Sequence, residues 1–122
     1  MNNRKFRRKI IKTIPIGTVM DNPGGGTSTI ITYTEKKVTY QRGNSKIGIA
    51  FDDLHSAFLT FRGKTLDSSM LKEFRPRVFD SAQNGHSCNC TFLFMVLEKL
   101  GIVDKIDGAG KKGNPFQVYI PR

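Results

Sequence analysis

The chain is short of acid. Ten Asp and Glu face twenty Lys and Arg, which leaves a net charge of +10 and a pI near 10. Its strand-like stretches hold no spaced Asp…Glu-x-Lys cluster, so the carboxylate geometry of a metal-dependent nuclease is not expected. Cysteine is scarcer still. Cys88 and Cys90 have one residue between them, and a bridge across that spacing would be strained. No disulfide framework is expected, and reduced thiols suit the cytoplasm. There are two histidines, His55 and His86, and no tryptophan. No stretch approaches the roughly 18 apolar residues that a membrane span needs, so no membrane partner is expected.

What is present suffices for a core. Hydrophobic residues make up 38% of the 122, and nine of them are Phe. The length falls within the about 100–200 residues of one domain, so residues 1–122 are expected to fold as a unit. The excess charge is uneven. Arg4, Lys5, Arg7, Arg8, Lys9 and Lys12 crowd the first twelve residues, which hold no acid. A basic arm over residues 1–12, on a mildly basic body, suits a polyanion, most often nucleic acid. The plainer alternative is a disordered tail that aids solubility. The arm fails as a secretory signal, because Lys12 and Pro15 interrupt the about 7–15 apolar residues required. A cytoplasmic location is the expectation.

Residues 13–50 read as a β-meander. "TIPIGTVM" alternates only in part, and Pro15 confines any strand there to an edge. "DNPGGGTS" (21–28) is a loop. Its glycines are followed by a strand signal rather than a helix with Gly-Lys-Ser/Thr, which argues against a phosphate loop. "TIITYT", "KVTYQ" and "SKIGIA" then follow across short turns, with Ile30, Val38, Ile47 and Ile49 expected inside.

From residue 51 the period changes. Leu54, Ala57, Phe58 and Phe61 form one helical stripe, with Asp52 or Asp53 as the expected cap. His55 falls beside that stripe and is expected at its boundary. "KTL" is a short extended link, and "DSSMLKEF" a second helix stopped by Pro76. Asn84-Gly85 marks a turn. "SCNCTFLFMVLEKLG" (87–101) is the longest helical signal, with Ser87 as a plausible N-cap and Gly101 as its stop. "IVDKID" and "PFQVYI" are expected to pair as a hairpin across "GAGKKGN".

Helix, short strand, helix, helix, strand, basic glycine loop, strand: this order resembles the winged-helix variant of the helix-turn-helix over residues 52–122. "LEKLGIV" running into "FQVYI" resembles the end of a recognition helix and its wing. The fold expected is therefore α+β, an N-terminal antiparallel β-meander followed by a winged-helix-like three-helix unit with a C-terminal β-hairpin wing. The resemblance implies double-stranded DNA as partner and transcription regulation as a role. It places the third helix in the major groove and the wing beside it. Ser87, Thr91 and Lys99 would then face the bases, while Lys111 and Lys112 at the wing tip, with Arg4, Lys5, Arg7, Arg8 and Lys9 of the arm, would neutralise phosphates.

The third helix itself argues against base reading. Cys90, Leu93, Val96, Leu97 and Leu100 form its core stripe, yet Phe92, Phe94 and Met95 lie outside that stripe, and Glu98 repels phosphate. A helix apolar nearly all round is usually buried, here under the meander or against a second subunit, so a homodimer is among the expectations. The competing reading is a protein-interaction module that docks a partner on Phe92, Phe94 and Met95. A third reading is an enzyme centred on Cys88 and His86. It is the weakest, because sequence neighbours seldom face each other as nucleophile and base. His86, Cys88 and Cys90 are also one ligand short of a structural zinc site. No catalytic residue, metal or cofactor is assigned.

Overall fold

The computed structural model describes residues 1–122 throughout and is a mixed α+β fold. It opens with helix α1 (Asn3–Thr13), where the sequence promised only a charged arm. The Asn2 side chain caps it by accepting from the Lys5 amide at 2.9 Å. Phe6, Ile10 and Ile14 repeat every fourth residue, and all three are buried. Helical spacing therefore extends through Thr13, and the extended segment expected from residue 13 shrinks to β1 (Val19–Asp21).

β2 (Thr27–Tyr33), β3 (Lys37–Arg42) and β4 (Ser45–Ala50) complete an antiparallel sheet in the order β1-β2-β3-β4. Val38 lies opposite Ile49 and Tyr40 opposite Ile47. Alternation then delivers Ile30, Val38, Tyr40, Ile47 and Ile49 to one buried face. A register shift between Ile30 and Thr32 bends β2 without breaking the pairing.

α2 (Phe51–Thr60) follows β4 directly. Ala50 occupies the N-cap and caps nothing, so neither Asp52 nor Asp53 is the cap. Both sit in the first turn, where negative charge suits the helix dipole, and both accept from Arg75 Nη1, at 3.2 Å and 2.6 Å. β5 (Lys64–Asp67) leads into α3 (Ser68–Phe74), capped by Asp67. Pro76, rather than only stopping a helix, also opens the one-turn α4 (Pro76–Phe79). A 3-10 turn, Ser81–Gln83, ends at Asn84 in the left-handed region.

α5 (Cys88–Lys99) is the third helix of the sequence reading. It runs through the middle of the core, and from Asn89 to Leu97 every residue but Thr91 is buried. The sheet covers one side: the Tyr40 and Phe92 rings stack at 3.9 Å, 2° from parallel. α3 and α4 cover another. One cluster of 28 buried hydrophobic residues, drawn from every helix and strand described but not from the 3-10 turn, forms the core.

The expected C-terminal hairpin is the main correction. β6 (Gln117–Ile120) pairs with β5, Leu66 opposite Val118, and not with residues 102–107. Only Asp107 bridges back, to Gln117. Val103 is buried and Ile102 and Ile106 are half-buried against the core, so this segment plugs the core instead of alternating as a strand.

Candidate nucleic-acid interface

Of the twenty Lys and Arg, only Arg75 and Lys105 pair with a carboxylate. The rest of the excess charge is uncompensated within the chain. Its densest group is the outer face of α1. Phe6, Ile10 and Ile14 fix the inner face: the Phe6 ring stacks on Phe58 at 5.5 Å and tilts against His55 at 5.3 Å. His55, expected at a boundary, is buried and donates from Nε2 to the Met1 carbonyl at 2.8 Å. Tyr33 Oη donates to the Ile14 carbonyl and ties down the far end. Burial of the Tyr33 ring pushes its hydroxyl pKa up to about 12.

With the inner face fixed, Arg4, Lys5, Arg8, Lys9 and Lys12 are exposed, and Arg7 is half-exposed. Arg4, Arg8 and Lys12 fall on one line of the helix, about 6 Å apart. Like charges at this spacing repel, by about 0.2–0.5 kcal/mol per pair. Arg4 and Lys5 add an unfavourable interaction with the positive end of the helix dipole. The buried apolar face outweighs this strain, and an anionic partner would relieve it.

The loop that was expected to be a wing survives as a narrow finger over residues 107–117. At its end Lys111 and Asn114 exchange backbone hydrogen bonds of 3.2 Å and 2.8 Å around a Lys112-Gly113 turn. Two glycines are required by close approach. At Gly108 (φ +94°) a Cβ would lie 1.9 Å from the Pro115 carbonyl oxygen, and at Gly110 (φ +71°) 2.3 Å from the Phe116 ring. Lys111 and Lys112 are exposed and unpaired.

The residues expected to face bases from the third helix are otherwise engaged. Ser87 stands at the N-cap of α5 as expected, but its side chain makes no capping bond: its backbone is helical, and its Oγ accepts from the Ser81 hydroxyl at 3.0 Å. Thr91 Oγ1 accepts from Arg42 at 3.1 Å and so ties α5 to β3. Lys99 alone is exposed, in the last turn, where it complements the helix dipole. Phe92, Phe94 and Met95, expected to offer an interface, are 1%, 0% and 2% exposed inside their own chain. Their cover is intramolecular, so the apolar face that called for a second subunit is already filled.

Cys88 is half-buried. Cys90 is buried and donates to the Phe79 carbonyl at 3.6 Å, and burial pushes its thiol up to about 11. His86, Cys88 and Cys90 do not gather with other ligands into a metal-binding group. No helix is long and apolar enough to cross a membrane.

The sequence left open whether the arm is ordered, and Lys12, counted in the arm but not among its phosphate contacts, shares the outer face of α1. The signal was there in Phe6, Ile10 and Ile14. Compared with protein-family models, curated proteins and solved structures, the chain matches none.

Proposed function

We propose that the chain binds nucleic acid, double-stranded DNA foremost, without catalysing a reaction on it. The outer face of α1 grips phosphates, and the Lys111–Lys112 finger adds a second contact. The observation that carries this reading is the ordered α1 face: a row of unpaired cations on a helix whose other side is anchored in the core. β5 lies between α2 and α3 and pairs with β6 beyond the basic finger. That order supports a winged-helix-like arrangement of residues 51–122, with the wing reduced to its tip. The third helix is spent on the core, so contact passes to α1 and the finger. Phosphate contacts of this kind position a protein on a duplex and carry little sequence information.

Fluorescence anisotropy with a labelled duplex, titrated between about 50 and 200 mM salt, tests the proposal. Log affinity should fall linearly with log salt, by about 0.9 per phosphate neutralised. Arg4→Gln/Arg8→Gln/Lys12→Gln should lower that slope by about 2.7 and Lys111→Ala/Lys112→Ala by about 1.8, if each residue meets one phosphate. Absence of binding at low salt, or slopes untouched by both variants, refutes it.

A further inference from the structure

A cleft of about 400 Å³ opens at the C-terminal end of edge strand β4, and no residue of α1 or of the finger lines it. Its walls bring together cations far apart in the sequence: Lys36 in the turn before β3, Lys37 at the start of β3, and Arg77 from α4, with His86 beside them. None of these makes an ion pair. One carboxylate, Asp53, lines the cleft, and Arg75 already holds it at 2.6 Å. The charge left over is cationic.

The base of the cleft is rigid. Asn89 is 1% exposed; its Oδ1 accepts from Tyr40 Oη at 2.8 Å, and its Nδ2 donates to the Val78 carbonyl at 3.0 Å. Ile49 and Val78 add apolar surface. Lys37 lies over Gly48, where a Cβ would stand 3.6 Å from its Cδ and 3.7 Å from its Nζ. The lysine stem therefore lies across the neighbouring strand, in van der Waals range of Gly48, beside the opening.

The geometry points to a binding site for a small molecule carrying a terminal phosphate monoester, of mononucleotide size. Three exposed, unpaired cations lining one cleft suit a dianion better than a single charge. The volume falls within the about 300–1,000 Å³ usual for ligand pockets, and an apolar strip beside polar groups suits a compact organic body. This site is independent of α1 and the finger. A terminal phosphate is also present on the 5′-phosphorylated end of a nucleic-acid strand, so the test separates the two sources.

Two-dimensional amide NMR of the full chain is the test, with adenosine 5′-monophosphate, inorganic phosphate and adenosine as probes. The monophosphate should shift the amides of Lys37, Gly48 and Asn89 saturably, and adenosine should not. Lys37→Gln/Arg77→Gln removes two exposed charges and should weaken binding by about tenfold or more. The Arg4→Gln/Arg8→Gln/Lys12→Gln variant should bind the monophosphate as the parent does, whatever the outcome with duplex DNA. A 5′-phosphorylated tetranucleotide that binds more tightly than both the monophosphate and its unphosphorylated twin would assign the phosphate to strand ends. Equal or weaker binding would assign it to the free small molecule. No saturable shift by about 10 mM of either phosphate probe overturns the site. So does equal binding of adenosine, or affinity unchanged in Lys37→Gln/Arg77→Gln.

Discussion

Phe6→Ala should destabilise the whole protein, and its size measures whether α1 is part of the fold. Phe6 is fully buried, stacked on Phe58 and tilted against His55. Truncating a buried Phe to Ala costs about 3–5 kcal/mol, as lost transfer energy plus the cavity left behind. At about 2 kcal/mol per molar urea, a mid-range slope for a small protein, the unfolding midpoint should fall by about 1.5–2.5 M. Phe6→Leu keeps much of the volume and should lose far less. A freely moving arm would give a different result, because its Phe would bury nothing to lose. A midpoint shift under about 0.5 M, with unchanged hydrogen exchange at the α1 amides, would refute the docked helix. The phosphate grip proposed for α1 would lose its rigid base with it.

Two other outcomes follow from the core beneath the sheet. Tyr40→Phe strands the buried Asn89 carboxamide without its donor and should cost about 1–3 kcal/mol in urea unfolding; a loss near zero would show that the bond carries no weight. At high pH the sign is set by burial. Cys90 and Tyr33 titrate at about 11 and 12 in the folded chain against 9.0 and 10.0 otherwise, and burial pushes Tyr40 up as well. Each holds a proton that the unfolded chain releases. Their contribution is therefore complete below about pH 9 and is lost as pH rises through about 11 to 12. Melting temperature followed by circular dichroism should decline above about pH 9; a flat profile to about pH 12 would contradict the burial of these groups.

Much of the fold was legible where local signals agreed. Thr, Ile, Val and Tyr in alternation, broken by Glu35-Lys36 and by Gly43-Asn44, specify β2 to β4 with little help from the rest of the chain. Asp67 before "SSMLKEF" and Gly101 after α5 mark helix ends in the same local way. The readings that failed needed long-range information. Residues 102–107 are the sequence neighbours of the finger, yet β5, some fifty residues away, is the strand that pairs with β6, because Leu66 and Val118 share buried positions. The charge of α1 masked an apolar period, Phe6, Ile10 and Ile14, that the sequence itself carries and that packing on α2 buries. The phosphate cleft could not have been found by spacing at all, since Lys37, Arg77 and His86 meet only through tertiary contact.

The burial of α5 ties these threads together. A recognition helix must be held on one side and free on the other. Here Tyr40 and Phe92 stack on the sheet side, and Asn89 reaches both Tyr40 and the Val78 carbonyl of α4. Thr91 is bound to Arg42. Each contact that pins α5 removes a side chain that could have met a base edge. Only α1 keeps the asymmetry that groove or backbone binding demands, with Phe6, Ile10 and Ile14 inside and Arg4, Lys5, Arg8, Lys9 and Lys12 outside. The stability of α1 against its own like-charge repulsion is then the physical quantity on which the proposed function turns.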